Sequence, residues 1–464
     1  MASLIRCAQP YVVRSARSLI IEIVLFWCFV FLLSSCSKHQ ELDVRRSFRY
    51  NETGGLKSLD PALASYQAAG WLTSQLFSTL VEYDSTLTLT PSVAKRWSVD
   101  STGCRWIFEL RTDVFFHEDS CFGAQRWRVL TAHDVRYSLE RLLHAATRSP
   151  GLWVLRKRLV GGDEYHRLSK QAGFFGRCKG IEVLSDSTIA LTLVKPFAPF
   201  LSLLTMPYCS IVPHEALEMY GEDFGLHPVG SGPFTMASWE FEKELVLRKN
   251  TSYFKTDGRG VRLPYLDNVT VQFIRDSKTE FLEFRNGNID AVMQIDPSFA
   301  SVVLNTDGTL QQRYAKYVLQ QKPAHTIEYY GMLLDTNEDA ARAMPLATSR
   351  FIRQALNYAI DRDRIVRYVL RGKGIAAEHG VLPPSMPGFS ETVRGYTYNP
   401  AKARMLLKEA GFTNGIGMPT LTLQMGNNAR SASVGEAIQQ MWKEIGVSVT
   451  LKQVDFPQHL DMVR

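Results

Sequence analysis

The run Pro228-Val229-Gly230-Ser231-Gly232-Pro233-Phe234 constrains this chain more than any other stretch. Two glycines and two prolines so close together exclude a helix interior and a central strand. The run is therefore a fixed turn. Its backbone N–H groups, unshielded by side chains, can face a ligand or a neighbouring strand. The period changes after it: Glu244 to Lys249 reads as a strand, closed by Asn250 to Tyr253.

The N-terminus constrains the compartment. Arg14 and Arg17 precede an apolar run from Ile23 to Leu33, followed by Ser34-Ser35-Cys36. A basic flank, a short apolar stretch and small residues form a secretory signal over residues 1–35. The apolar run is shorter than the roughly 20 residues a spanning helix needs. An uncleaved anchor starting at Leu19 would carry Glu22 into the membrane, which counts against it. Cys36 after Leu33-Ser34-Ser35 resembles the bacterial lipobox, which implies that Cys36 carries lipid as the first mature residue. Ser37 after it resembles the pattern for outer-membrane export in enteric bacteria. Residues 36–50 are polar and charged, as a tether would be.

With 464 residues the chain can bury large cores in two or three domains. Loss of the signal removes three arginines (Arg6, Arg14, Arg17) and Glu22, so the net charge falls from +7 to +5. No basic run is interleaved with aromatics, which excludes nucleic acid as a partner. Of the seven cysteines, Cys7 and Cys28 leave with the signal. Cys104, Cys121, Cys178 and Cys209 remain, and four cysteines allow three pairings. Cys104 and Cys121 flank a hairpin and can pair; free buried thiols are the equal alternative.

Chemistry-bearing motifs are absent. His117-Glu118 fits a metal or acid–base pair, but a loop histidine at a strand end fits better. His214-Glu215 would need a second histidine at 218 for a zinc-protease helix, and Glu218 stands there. No G-x-S-x-G occurs, and Gly372-Lys373-Gly374 lacks P-loop spacing. The expectation is a protein that is not an enzyme and holds no metal or cofactor.

Periodicity places the elements. Asp60 before Pro61 forces an extended or turn conformation, and Leu72 to Leu80 has apolar residues at helical spacing. Trp106 to Arg111 alternates as a strand. Thr131 caps a helix, supported by Asp134 three residues on. Ile181 to Leu193 contains a strand, and Pro213 takes the first helical position before His214. Residues 118–129 read as a surface loop. Tyr265 to Ile274 alternates, and Lys278 to Arg285 is a helix. A strand or two falls between Tyr314 and Leu334, including Thr326 to Met332. Arg350 to Ile360 is an amphipathic helix, and another runs from Asp361 to Gly372. Asn399-Pro400 opens a helix that ends at Gly411. A strand (Thr420 to Met425), a helix (Val434 to Glu444) and a strand (Val447 to Val454) follow.

Several of these stretches resemble one family. Gly230, Gly232, Pro233, Phe234, Trp239, Leu247, Arg248, Asn250 and Tyr253 match the signature of extracytoplasmic solute-binding proteins of family 5, the peptide/nickel family. So do Pro91, Ala94, Trp97, Phe108, Leu110, Arg111, Val114, Phe116 and His117 with Thr131-Ala132-His133-Asp134-Val135. Phe284, Gly287, Ile289 and Asp290, then Arg353, Ala355-Leu356 and Tyr358-Ala359-Ile360-Asp361-Arg362 through Gly372, continue the match. The resemblance implies a two-lobed, periplasmic-binding-protein-like α/β fold of type II, with mixed sheets flanked by helices and an extra subdomain in lobe I. It implies lobe I over 51–274, the inserted subdomain over about 61–185 and lobe II over 275–464. Relatives continue past this point and cross back, so lobe II is expected to be incomplete and truncated before the return crossing.

The implied function is capture of oligopeptides or dipeptides in an interlobe cleft by hinge closure, for an ABC permease and ATPase, by a lipid-anchored monomer on the periplasmic side of the cell envelope. Alternatives are a nickel chelate, haem, glutathione or sugar in the same fold, or a non-transport sensing or structural lipoprotein or a degraded copy. Ligand-facing candidates are Ser65, Tyr66 and Gln67 after the first turn, Gly230, Ser231 and Gly232 in the signature turn, and Thr326 with Tyr329.

Overall fold

The computed structural model describes residues 46–462 apart from 297–298, 306, 322–324, 336, 338, 340–343, 387, 456–457 and 460–461. The signal stretch, Cys36 and nearly all of the tether lie outside the described residues. The chain divides into two compact units. Among the described residues, unit 1 comprises 46–49 with Ser58–Thr270, and unit 2 comprises Tyr50–Lys57 with the chain from Val271 onward.

Unit 1 is built around a four-stranded antiparallel sheet of order β4-β5-β7-β6, with β4 Ala94–Val99, β5 Arg105–Leu110, β6 Ile181–Ser185 and β7 Thr188–Thr192. Strand β5 alternates as its sequence predicts: Trp106, Phe108 and Leu110 are buried, and Arg105, Ile107 and Glu109 are less so. On the buried face lies α2 (Ala132–Leu143), whose Val135, Leu139, Leu142 and Leu143 join the same core. The helix begins where Thr131 predicts, because the Thr131 N–H donates to the Asp134 carboxylate at 2.8 Å. A short hairpin of β2 (Val81–Tyr83) and β3 (Leu89–Pro91) flanks this core.

A second sheet has the order β1-β10-β9-β8, with β1 Ser47–Asn51, β8 Phe234–Glu240, β9 Glu244–Lys249 and β10 Asn268–Gln272. The chain leaves one unit for the other within β1 and within β10. Strands β8 and β9 form the antiparallel hairpin directly after the Gly-Pro turn.

Unit 2 has two cores. Around α5 (Ser277–Asn286), Phe281 packs with Phe299, Val303 and Tyr314. The larger core is a β-α-β unit: β11 (Leu421–Gly426), α8 (Ala429–Lys443) and β12 (Val449–Val454), with the strands parallel and in register from Leu421↔Val449. Gly435 lets α8 approach the sheet; a Cβ there would lie 2.7 Å from the Met425 sulfur. Helices α6 (Arg350–Tyr358) and α7 (Pro400–Glu409) close the core through Ile352, Leu356 and Leu407, and Trp442 donates its indole N–H to the Leu356 carbonyl at 3.0 Å. The Asn399 side chain caps α7 by accepting from Lys402 N–H at 2.9 Å, and Gly411 takes the left-handed conformation past its end.

Four expectations are corrected. Helix α1 spans Gln67–Leu76, so it starts earlier than the predicted Leu72 and stops before Leu80. It stops because Phe77 turns extended and the chain enters β2. No strand forms over Thr326 to Met332. A strand exists only where its backbone pairs with a neighbour, and no ladder meets this stretch among the described residues. Pro213 sits one position before helix α4 (His214–Tyr220) rather than inside it. The predicted helix from Asp361 is three α-helical residues followed by a π-turn, Ile365–Val369, before Gly372.

Candidate functional site

The loop Ser65 to Gln67 is held from both ends. Before it, Asp60 accepts from Ala62 N–H at 3.0 Å and receives a two-pronged guanidinium contact from Arg141 at 2.9 and 2.5 Å. Asp60 is buried, so this pair fixes the loop base where water does not compete. Ser149 adds a hydroxyl bond to the Ala62 carbonyl. After it, Tyr66 supplies the extended residue that opens α1, and Gln67 is the first helical residue. Ser65 and Tyr66 are half-buried and Gln67 is exposed.

The far end of α1 is closed by the Gly-Pro turn. Gly232 N–H donates to the Leu76 carbonyl at 2.9 Å, which satisfies an acceptor that a helix C-terminus leaves open. The Ser231 carbonyl accepts from Ser78 Oγ at 3.1 Å, and the Gly232 carbonyl accepts from Asn250 Nδ2 at 2.9 Å. Contact this close requires glycine. A Cβ on Gly230 would lie 2.0 Å from the Leu76 oxygen, and one on Gly232 would lie 2.5 Å from the Leu76 carbonyl carbon.

His117 completes the lock. Its backbone N–H donates to Gly230 O at 2.7 Å, its Nε2 faces Gly232 O at 3.1 Å, and Gly230 N–H donates to its Nδ1 at 3.3 Å. This pattern fits the neutral ring protonated on Nε2. Burial pushes the imidazole down from 6.5 to about 4, against the raising effect of the Gly232 bond. His117 lies in the loop that follows the Phe115 bridge, as its sequence context predicts, and from there it bolts the turn as a buried residue. Its position right after alternating Val114 and Phe116 was the available signal.

The candidate residues therefore separate. Ser231 is 1% exposed, and Gly230 and Gly232 are buried with their polar groups engaged within unit 1. All three pack the turn against the end of α1, and the Ser231 Oγ is buried without a protein partner. Ser65, Tyr66 and Gln67 sit at the opposite end of the helix that the turn anchors. Thr326 and Tyr329 belong to unit 2, both exposed, with Tyr329 at 80%.

Asp134, His214 and Glu215 come close enough to share an ion, but Arg128 already bridges the two carboxylates. It donates to Asp134 at 2.7 and 2.8 Å and to Glu215 at 2.6 Å through both Nε and Nη2. Burial works against the charge of Arg128, yet these carboxylates hold it well above the ordinary arginine range. Its guanidinium also covers Phe116 and Phe122, which stack at 5.9 Å. The 118–129 segment is thus pinned through Arg128 and Phe122. Cys104, Cys121, Cys178 and Cys209 are all free thiols, so the Cys104–Cys121 pairing does not form.

Mixed α/β units of this kind match the fold of periplasmic peptide-binding proteins. The chain superposes on a periplasmic oligopeptide-binding protein (OppAIV) from Borrelia burgdorferi with a TM-score of 0.73 and 22% identity, over 89% of this chain and 77% of that one. Residues 88–463 match the model of the middle region of bacterial extracellular solute-binding proteins, family 5, and the chain belongs to that family. It is 26% identical over 400 residues to the dipeptide-binding protein of Escherichia coli K12, covering 83% of this chain and 67% of the relative. It is 28% identical over 402 residues to the glutathione-binding protein GsiB of Pectobacterium atrosepticum, covering 86% and 68%. The family binds solutes and is not enzymatic. Among the described residues no helix is long and apolar enough to cross a membrane.

Gly232→Val is expected to lower the unfolding free energy of unit 1 by at least ~2 kcal/mol, since backbone must move to admit the side chain. Urea unfolding checks this, and wild-type stability would refute it. His117 gives a pH signature. Its folded pKa lies below its unfolded one, so its contribution is full above about 6.5 and is lost as pH falls toward about 4. The loss amounts to at most ~3 kcal/mol. His117→Gln should flatten that part of the stability–pH curve, and parallel curves for the two proteins would refute the assignment.

Proposed function

We propose that the chain is the peptide-capturing subunit of an ABC importer. The observation that carries this reading is the family match over residues 88–463, together with relatives named for dipeptides and for glutathione, itself a tripeptide. Peptides share a repeating backbone. A binder can satisfy main-chain donors and acceptors and leave side chains to roomy, hydrated pockets. In this reading the two units are lobes joined through β1 and β10, and ligand shifts the population toward a closed state by its extra contacts there. No bond is made or broken.

Ser65, Tyr66 and Gln67 are the proposed contacts on lobe I, with Thr326 and Tyr329 on lobe II. Gly230 to Gly232 serve indirectly, by fixing the helix that presents the first group. Residues 1–35 act as the export signal and Cys36 carries the lipid, leaving a monomer tethered to the cell envelope. The relative named for glutathione favours a second reading, a γ-linked tripeptide as ligand.

Thermal unfolding of Ser37–Arg464 with pooled di- to pentapeptides, and separately with glutathione, tests the reading. Ligand at about 100 times its dissociation constant adds ~2.7 kcal/mol and raises the midpoint. A rise with peptides supports peptide capture, a rise with glutathione alone supports the second reading, and indifference to both sinks them. For the anchor, metabolic labelling with a fatty-acid analogue should mark the wild-type chain and not Cys36→Ser. Equal labelling would remove the lipid from the proposal.

A further inference from the structure

Where the chain crosses into unit 2, a side chain stands in for a backbone rung. The Glu52 N–H, just past β1, donates to the Gln272 carbonyl at the end of β10 at 2.8 Å. The Asn51 carboxamide then takes over. Its Oδ1 accepts from the Ile274 N–H at 2.7 Å, and its Nδ2 donates to the Ile274 carbonyl at 2.9 Å. The amide thus presents a donor and an acceptor as a peptide group would, and it is buried. Glu280, the fourth residue of α5, takes a further hydrogen bond from the same side chain. Asn51, Glu52, Ile274 and Glu280 all belong to unit 2.

Glu280 is 5% exposed, and among the described residues no cation acts on it. The ionisable groups on the elements around it are occupied elsewhere or add to its charge. On its own helix, Lys278 acts on the capping Asp276, which accepts from the Thr279 N–H at 2.8 Å, and Glu283 accepts from Asn288 at 2.6 Å. On the β1 side stand Arg49, Tyr50 and Glu52, and beyond β10 stands Arg275. Of all these, only Glu52 acts on Glu280, and it is a like charge. A buried carboxylate without a cation is costly while ionised. Burial therefore raises Glu280 from 4.5 to about 6; Glu52 adds to this and the Asn51 bond opposes it. Burial also raises Glu52, against its Gly54 bond.

We propose that Glu280 is a proton switch on the crossing segments: with its proton it keeps the Asn51–Ile274 tie shut, and once ionised it loosens the tie. The reason is solvation. Opening the tie brings water to the carboxylate and relieves the repulsion from Glu52, so only the ionised form gains by it. The sign follows from linkage. The closed form binds the proton more tightly than the open form, so closure is favoured below about 4.5 and weakens as pH rises through about 6. A protein outside the cytoplasm meets such a range, and the crossing segments would be stiffer in mild acid. Use of this stiffness in closing on a ligand rests on the lobe reading; the proton uptake does not, and it is measured without ligand.

Amide hydrogen exchange of the full chain at pH 5.0 and 7.5, corrected for the intrinsic pH dependence of exchange, tests the switch. The readouts are the Glu52 and Ile274 amides, whose bonds make the tie. In the wild type their opening should be up to about tenfold more frequent at pH 7.5 than at pH 5.0. Glu280→Gln keeps the shape and the Asn51 bond without the charge, so it should be as protected at pH 7.5 as the wild type is at pH 5.0, with no pH dependence. His117 titrates in the same window but is present in both proteins, so the difference between them isolates Glu280. Should Glu280→Gln not fold, Glu52→Gln removes the like charge and should move the wild-type transition to lower pH. A wild type without pH dependence, equal dependence in Glu280→Gln, or an unmoved transition in Glu52→Gln overturns the proposal.

Discussion

The contact between the Gly232 N–H and the Leu76 carbonyl is the constraint on which unit 1 depends. It closes the end of α1, sets where the β8–β9 hairpin begins, and places the chain too close to the helix for any side chain at 230 or 232. His117 and Asn250 then bind the Gly232 carbonyl from two other directions. A helix end, a strand end and a hairpin are thereby tied at one point. The consequence reaches ten residues upstream, because a helix is stiff and its first turn carries Tyr66 and Gln67.

What the sequence made legible was mostly local chemistry. Thr131 with Asp134 marked a true helix start, and Asn399 and Gly411 marked both ends of another. The strands Glu244–Lys249 and Leu421–Gly426 follow from alternation within the segment itself. The Gly-Pro run was recognisable as a fixed turn, but its direction was not. Whether its amides face a ligand or Leu76 depends on a partner more than 150 positions away. The same holds for Thr326 to Met332, whose residues suit a strand although strand formation requires a neighbour. It holds for Phe77 too, where apolar spacing continues past the point at which tertiary contacts end the helix. Ser65 to Gln67 were singled out through family resemblance alone; nothing in their residue types sets them apart.

Ion pairs in unit 1 are placed where they position rather than where they add much stability. Exposed pairs such as Lys243 with Glu240 contribute little. Arg141 with Asp60 and Arg128 with Asp134 and Glu215 are different, because each guanidinium meets carboxylates in fixed, multi-pronged geometry with little water nearby. One holds the base of the loop that leads into α1. The other pins the segment between β5 and α2 against aromatic rings. For a solute binder such rigidity has a purpose: contacts organised in advance need less ordering when ligand arrives.

The four thiols carry a chemical consequence of their own. An extracellular protein with unpaired cysteines faces oxidants, and the species that reacts is the thiolate. Cys121 is partly exposed, and burial, followed by the Asp119 carboxylate, pushes it up to about 12. At neutral pH its thiolate fraction is then on the order of 10⁻⁵. Cys209 reaches about 12 and Cys178 about 11 through burial. Burial thus holds Cys121, Cys178 and Cys209 in the thiol form, which reacts slowly with oxidants.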